Sequence, residues 1–260
     1  RFTYFPHLGL ALVAARTAAE VAARSRVAAR AVAVVATLAV AGLAARTADQ
    51  IPVWRTNRTV FAHALAIAPG SGLVQKKFAD GELAAGRIDE ALRHYEEAVR
   101  LEPGFGGAHY QIGVIRFERA EYERAAWHFE CAARAAPTEV DFRHEAFLNL
   151  GLVRLELGQP DRAMTAFDAA LSIAPRFAAA HYGLGNAWKA RGDDERAIAS
   201  YRRALELEPG FPQAHNNLGV ALLDAGRREE AIAEFEAALA IWPDYADARF
   251  NLDEALRPGR

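Results

Sequence analysis

An all-α solenoid of antiparallel helix pairs, preceded by a hydrophobic helical hairpin, is the fold class this sequence predicts. Three observations carry that prediction. One pattern of apolar and small residues returns every 34 residues, and a two-helix unit of that length is the mark of a helical repeat array. Each return closes on a proline, which cannot continue a helix without losing a hydrogen bond and clashing with the preceding turn. The first 48 residues hold two apolar runs around a basic tip.

At the start, RFTYFPH is aromatic, and Pro6 breaks any helix ahead of it. Between Leu8 and Ala23 only Arg16 and Glu20 interrupt the apolar run, four apart and able to pair. Arg24, Arg26 and Arg30 form the tip. Ala31–Ala45 is an uncharged run of fifteen residues, against roughly 20 for a bilayer span. Extending it back to Val27 gives nineteen, with Arg30 placed to snorkel. The expectation is a hairpin of transmembrane segments within residues 1–48, with membrane association through residues 8–45. The alternative is a pair of Ala-rich helices packed on the repeats. Charge does not orient the hairpin, because the tip arginines are matched by Arg1, Arg46, Arg55 and Arg58 on the other side.

Residues 49–71 read as a linker around Pro52 followed by half a repeat, in which Phe61, Ala64 and Pro69 keep the spacing of a second helix. Five full units follow at 72–105, 106–143, 144–177, 178–211 and 212–245, the second carrying a four-residue insertion. Residues 246–260 hold a capping helix with Phe250 and Leu252 facing inward, as arrays need to cover their last apolar face. The fourth unit is the most regular. Leu184, Gly185 and Trp188 share one face of its first helix, and Ala197, Tyr201 and Ala204 share one face of its second.

Within the units each residue type has a physical reason. Gly113, Gly151, Gly185 and Gly219 fall mid-helix, where glycine costs about 1 kcal/mol relative to alanine. A close crossing with Ala125, Ala163, Ala197 and Ala231 offsets that cost. Phe129, Phe167, Tyr201 and Phe235 are expected to fill the space between one unit and the next. Gly86, Gly158, Gly192 and Gly226 end first helices in the left-handed conformation. Acids such as Asp89-Glu90 and Glu229-Glu230 then open the second helices, where the dipole favours them.

Net charge is −2, but residues 1–68 carry eight Arg against Glu20 and Asp49, a net +6, while the remainder nets −8. That asymmetry fits two environments, and no basic run points to nucleic acid. Cys131 is the only cysteine, which excludes an internal disulfide and a thiolate zinc cluster. The chain begins at Arg1 and its only methionine is Met164, which reads as a fragment or processed product.

The run His181, Leu184-Gly185, Trp188, Ala197, Tyr201, Ala204 and Pro209 resembles the tetratricopeptide repeat, and the likeness recurs over residues 54–257. It implies a right-handed superhelix whose first helices line a concave groove. The first unit departs with Phe78-Ala79 in place of Leu-Gly. The second has Ala120 at its turn, and Arg116 and Arg154 stand where an aromatic is usual.

A second resemblance lies ahead of the repeats. Arg1, Tyr4, Pro6 and Gly9, then Trp54, Phe61, Ala64, Leu65 and Pro69, look like the end of the membrane module of tetratricopeptide-containing, O-mannosyltransferase-like glycosyltransferases. The resemblance implies an extracytoplasmic repeat domain at the C-terminal end of a membrane protein. That family's acidic catalytic residues belong to an early loop with no counterpart here. The chain is therefore expected to bind rather than catalyse, without cofactor or metal. A soluble cytoplasmic adaptor assembling a multiprotein complex is the alternative.

His109, His181 and His215 occupy one register of successive units and read as packing residues; no HExxH pattern accompanies the histidines. Gly183-Leu184-Gly185 follows no strand, so it is not a dinucleotide loop. Cys131 reads as a small packed residue. The candidate site is the groove. One register along it gives Lys77, Gln111, Asn149, Gly183, Asn217 and Asn251. These amides resemble the asparagine ladder of the O-linked N-acetylglucosamine transferase repeats, whose side chains both donate to and accept from a peptide backbone. Tyr110, Tyr182, Asn186, Lys189 and Asn216 share the surface. The expected partner is an extended peptide or a partner protein.

Overall fold

A computed structural model describes residue 34 and residues 56–135 and 142–257, and every element among them is an α-helix. The chain divides into two units, residues 1–67 and 68–260. The first contributes one described helix, α1 (Asn57–Ile67). The second holds α2 (Gly72–Ala84), α3 (Ile88–Leu101), α4 (Gly106–Glu118), α5 (Tyr122–Arg134), α6 (Arg143–Glu156) and α7 (Pro160–Ile173). It continues with α8 (Ala178–Ala190), α9 (Asp194–Leu207), α10 (Pro212–Asp224), α11 (Arg228–Ile241) and α12 (Ala246–Leu256). No described helix is long and apolar enough to cross a membrane. The expected hairpin lies outside the described residues apart from Val34, and so does the linker up to Arg55.

From α2 onward the helices pair α2–α3, α4–α5, α6–α7, α8–α9 and α10–α11, and each pair packs on the next to form an all-helical superhelix. One turn geometry joins the two helices of every pair. Gly86, Gly158, Gly192 and Gly226 adopt φ of 66–78°, and Ala120 takes the same place at φ 56°. The following amide then reaches back five residues: Arg87 N donates to Glu82 O at 2.9 Å, Glu121 N to Arg116 O at 2.9 Å and Asp193 N to Trp188 O at 3.0 Å. These bonds satisfy carbonyls that a helix end leaves open. Asp193 also caps α9, its carboxylate accepting from Arg196 N at 3.1 Å.

The core is a row of aromatics facing small residues. Tyr95, Phe129, Phe167, Tyr201 and Phe235 are at most 1% exposed. Their rings do not merely fill space between units, as the sequence suggested. Each ring of the last four lies on the glycine of its own pair: a Cβ built on Gly113, Gly151, Gly185 or Gly219 would sit 2.3–2.7 Å from the ring. Phe167 does both jobs, since a Cβ on Gly183 of the next unit would come within 2.5 Å of it. In the first pair, Ala79 and Tyr95 are both fully buried without the glycine.

Arg116 and Arg154 replace aromatic packing with ion pairs between units. Arg116 donates to Glu96 on α3 at 2.6 Å and to Glu121 at 2.8 Å. Arg154 repeats the arrangement with Glu130 on α5 at 2.6 Å and Gln159 at 3.1 Å. In the first pair the register is inverted, and buried Glu82 takes Arg87. Trp188 holds the same place on α8, under the guanidinium of Arg196 at 4.5 Å.

The insertion lengthens α6 to 14 residues by admitting Arg143. On α12 one expectation fails. Leu252 packs against the last core cluster, but Phe250 is 64% exposed. Ala248 and Ala255 define the buried stripe of that helix, and a residue two positions beyond Ala248 lies about 200° around it.

Candidate functional site

Among the described residues the first helices α4, α6, α8, α10 and α12 touch one another in succession, and no comparable contact joins second helices. First helices therefore run on the tighter, inner side of the array. The groove residues read from the sequence lie on them: Lys77 on α2, Tyr110 and Gln111 on α4, Asn149 on α6, Tyr182, Asn186 and Lys189 on α8, Asn216 and Asn217 on α10, and Asn251 on α12.

The structure draws most of the amides into bonds with their neighbours. Asn149 Nδ2 donates to Tyr110 Oη at 3.1 Å, Asn217 Nδ2 to Tyr182 Oη at 2.9 Å and Asn251 Nδ2 to Asn216 Oδ1 at 2.9 Å. In each case one first helix is stitched to the one before it. The chain extends sideways through Asn217 Nδ2 to Asn186 Oδ1 at 3.0 Å, which also accepts from Tyr201 Oη at 2.7 Å. Asn216 Nδ2 completes it by donating to Asn217 Oδ1 at 3.2 Å. Asn216, expected on the groove surface, is 5% exposed and works as the link between Asn217 and Asn251. Between α6 and α8 the equivalent places hold Leu148 and Gly183, and the stitch is missing because a side chain at Gly183 would strike Phe167. Lys77 is exposed and Gln111 is half-buried.

Among the described residues, Oδ1 of Asn149 and Oδ1 of Asn251 accept no hydrogen bond, and both side chains are only partly buried. Asn186, Lys189, Tyr201, Asn217 and Val220 line a cavity of about 200 Å³ between α8, α9 and α10. Lys189 is held by Asp194 at 2.8 Å and by Asp224, tying those three helices together. Burial lowers its pKa, but the two carboxylate bonds outweigh burial and the net shift is upward, so it stays charged. Burial raises the pKa of Tyr110 and of Tyr182 above the phenol value, which keeps both as hydrogen-bonding hydroxyls.

The histidine register has a task that reading it as packing missed. His109 Nε2 meets Pro103 O at 3.1 Å, His181 Nε2 meets Pro175 O at 3.3 Å and His215 Nε2 meets Pro209 O at 3.1 Å. Gln75 does the same for Pro69 O at 2.9 Å, and Arg249 for Pro243 O. A donor six residues after each of these five prolines satisfies a carbonyl that the interrupted helix leaves open. The signal was in the text, since Gln, His and Arg share only the ability to donate there. On their other edge these side chains meet the second helix: Gln75 with His94 at 2.7 Å, His109 with His128 at 3.0 Å, and His215 with Glu234 at 2.6 Å.

A larger cleft, about 560 Å³, opens at the α8–α9 turn. Its charges are already matched: Arg191 to Asp161, Arg196 to Asp193, Asp194 to Lys189. Among the described residues no three His, Cys, Asp or Glu gather to hold a metal ion. Cys131 is half-buried, and burial raises its thiol pKa.

Comparison with known proteins agrees with this architecture. Family models described as tetratricopeptide repeat or TPR repeat match residues 76–140, 144–177, 185–226 and 212–243. The TPR repeat-containing thioredoxin TTL4 of Arabidopsis thaliana is 25% identical over 117 residues, 44% of this chain, and the match spans 17% of that relative's length. Among solved structures, YrrB, described as a TPR protein with an unusual peptide-binding site, is 25% identical with a TM-score of 0.61, covering 73% of this chain and 96% of its own. PilF of Pseudomonas aeruginosa is 17% identical with a TM-score of 0.64 over 84% of this chain and 95% of its own. The repeat matches begin at residue 76 and lend no support to the membrane-module resemblance of residues 1–69. With five helix pairs, one turn geometry and family matches running from residue 76 to residue 243, the chain is a tetratricopeptide-repeat protein and, as such, a protein–protein interaction scaffold.

Proposed function

We propose that the inner face binds an extended peptide segment of a protein partner. The observation that carries this is the half-used state of the amides: Nδ2 of Asn149 and of Asn251 is pinned to the preceding unit while Oδ1 stays open. A pinned side chain has lost its rotamer freedom before the ligand arrives, so less entropy is lost on binding. Open carbonyl oxygens at two points of the inner face, on α6 and on α12, suit the N–H groups of an extended backbone that runs along it. The cavity beside Asn186 and Asn217 then takes a side chain of the same segment. YrrB, described as having a peptide-binding site, supports the reading.

The test is capture of peptides from a cellulose-bound array by the wild type and by Asn149→Ala with Asn251→Ala. Two lost hydrogen bonds at about 0.5–1.5 kcal/mol each predict a loss of affinity of roughly 5- to 150-fold. Tyr110→Phe removes the stitch and keeps Asn149, so it separates weakened binding from loosened packing. Unchanged capture by the double variant, with helicity intact, would remove the amides from the account.

The wider setting we propose is the C-terminal part of a membrane glycosyltransferase-like protein, with the repeats outside the cytoplasm presenting acceptor polypeptide. Its support is the residue order of positions 1–69 and their net positive, apolar composition. Retention of the expressed chain in membranes through an alkaline wash is the expected result. Release into the supernatant would favour a cytoplasmic adaptor instead.

A further inference from the structure

The outer side of the array carries a pocket that the inner-face reading does not use. Phe147 and Leu150 of α6, with Ala166 and Ala169 of α7, form its apolar floor. Glu130 of α5, Arg154 of α6 and Arg162 of α7 stand at its rim, and the volume is about 470 Å³. That is within the range of about 300–1,000 Å³ typical of ligand pockets. At 100° per residue, Phe147, Leu150 and Arg154 fall within about 60° of one another, and Asn149, Leu152 and Glu156 centre about 160° away. The pocket and the amide face are thus opposite sides of the same helix.

The cause of the pocket is a local change in the repeat. In the second unit His128 fills this place against His109, and in the fifth Glu234 fills it against His215. The third unit has Phe147 and Ala166 at those two positions, so the polar side chain is gone and a lined space is left. Its rim is not electrically balanced. Arg154 is neutralised by Glu130 at 2.6 Å, whereas the one partner of Arg162 among the described residues is the neutral Gln159 at 3.2 Å. One uncompensated guanidinium beside an apolar floor selects a bulky apolar group next to a carboxylate.

We infer that the outer pocket between α5 and α7 is a second docking site, for a segment of a partner protein that carries a bulky apolar side chain flanked by acidic residues. The apolar side chain enters over Ala166 and Ala169, and the carboxylate meets Arg162.

The probe is a fluorescein-labelled Gly/Ser peptide with a Phe between two Glu residues, and its counterpart with Lys in place of Glu, followed by fluorescence anisotropy on the full chain. Preference for the acidic peptide by about tenfold or more is expected, weakening as salt rises. Ala166→Leu fills the floor and should abolish binding. Arg162→Glu, an exposed change that does not touch the core, should reverse the preference, while Arg203→Glu on α9 should retain it. Equal binding of the two peptides, or a preference that Arg162→Glu does not alter, would overturn the proposal. Self-association of the wild type that Arg162→Glu abolishes would overturn it too, in favour of a second copy of the chain as the occupant.

Discussion

Ala120 is the one non-glycine residue at positive φ among the described residues, and replacing it with glycine measures what the turn costs. Four sister turns place Gly86, Gly158, Gly192 and Gly226 at φ 66–78°, and Ala120 is forced to φ 56° by the same pair of helices. Its turn is otherwise normal: Ala120 N donates to Phe117 O at 2.9 Å and Glu121 N to Arg116 O at 2.9 Å. The strain is therefore confined to the Cβ, which costs an L-residue about 1–2 kcal/mol in this region. Glycine removes that cost but has more freedom to lose on folding, about 0.5–1 kcal/mol. The methyl group is exposed, so its loss opens no cavity. The net expectation for Ala120→Gly is a gain of about 0.5–1 kcal/mol, or roughly 1–4 °C in Tm. Urea unfolding followed by far-UV circular dichroism checks it, with the midpoint rising and the slope unchanged. Gly192→Ala is the mirror experiment and should lose a similar amount. Equal stability of Ala120→Gly and wild type, or a Gly192→Ala variant as stable as its parent, would show that these turns do not store strain in the Cβ.

Two further predictions concern the core and the histidine register. Gly151→Ala should destabilise in spite of its better helix propensity, by up to about 2 kcal/mol, because overpacking costs about 1–3 kcal/mol against a propensity gain of about 1; its Cβ would stand 2.3 Å from Phe167, and Phe167→Leu in the same chain should recover part of the loss in thermal melts. The two polar pairs should respond to pH in opposite senses. The bond from Glu234 raises the pKa of His215, against burial, so that pair's contribution is complete below about pH 6.5 and fades as pH rises through the folded value. Burial, then the neighbouring His109, pushes His128 down to about 4, so there stability falls as pH drops from about 6.5 toward 4. Glu234→Gln should flatten the alkaline side of the stability profile and His128→Gln the acidic side, and a profile indifferent to both would refute the assignments.

The helix pairs were legible because their signals are local. A glycine at each turn, a proline at each close and alanines at fixed offsets lie within a few residues of the structure they specify, and they name the same boundaries. What the sequence hid is contact between units. Arg116 read as a gap in an aromatic pattern, since its partner Glu96 lies 20 residues upstream on another helix. Asn149 and Asn217 read as ligand groups, but the Nδ2 of each is spent on Tyr110 and Tyr182, 39 and 35 residues away, and Oδ1 of Asn217 is taken by Asn216. Phe250 reads as an inward residue of the capping helix, while the alanines at 248 and 255 set the buried face. The outer pocket follows from an absence, Ala166 where the sister units have His94, His128, Ser200 and Glu234, and missing volume has no signature of its own in a residue pattern.

One register changes from ion pairs between units at Arg116 and Arg154 to apolar contact at Trp188 and Leu222, so the joints differ in how far they lean on charge there, while Arg191–Asp161, Lys189–Asp224 and Arg202–Glu230 still cross the later ones. Repeat arrays behave as one-dimensional chains whose cooperativity lies in the coupling between neighbours. Couplings built on partly exposed guanidinium–carboxylate pairs are screened by added electrolyte, and those built on indole and leucine are not. At low ionic strength the array should melt as one body. In concentrated chloride the early units should detach from the transition first, with fluorescence of Trp127 changing at lower urea than that of Trp188 in single-tryptophan variants. Coincident midpoints at every salt concentration would mean that the early and the later joints transmit order equally well.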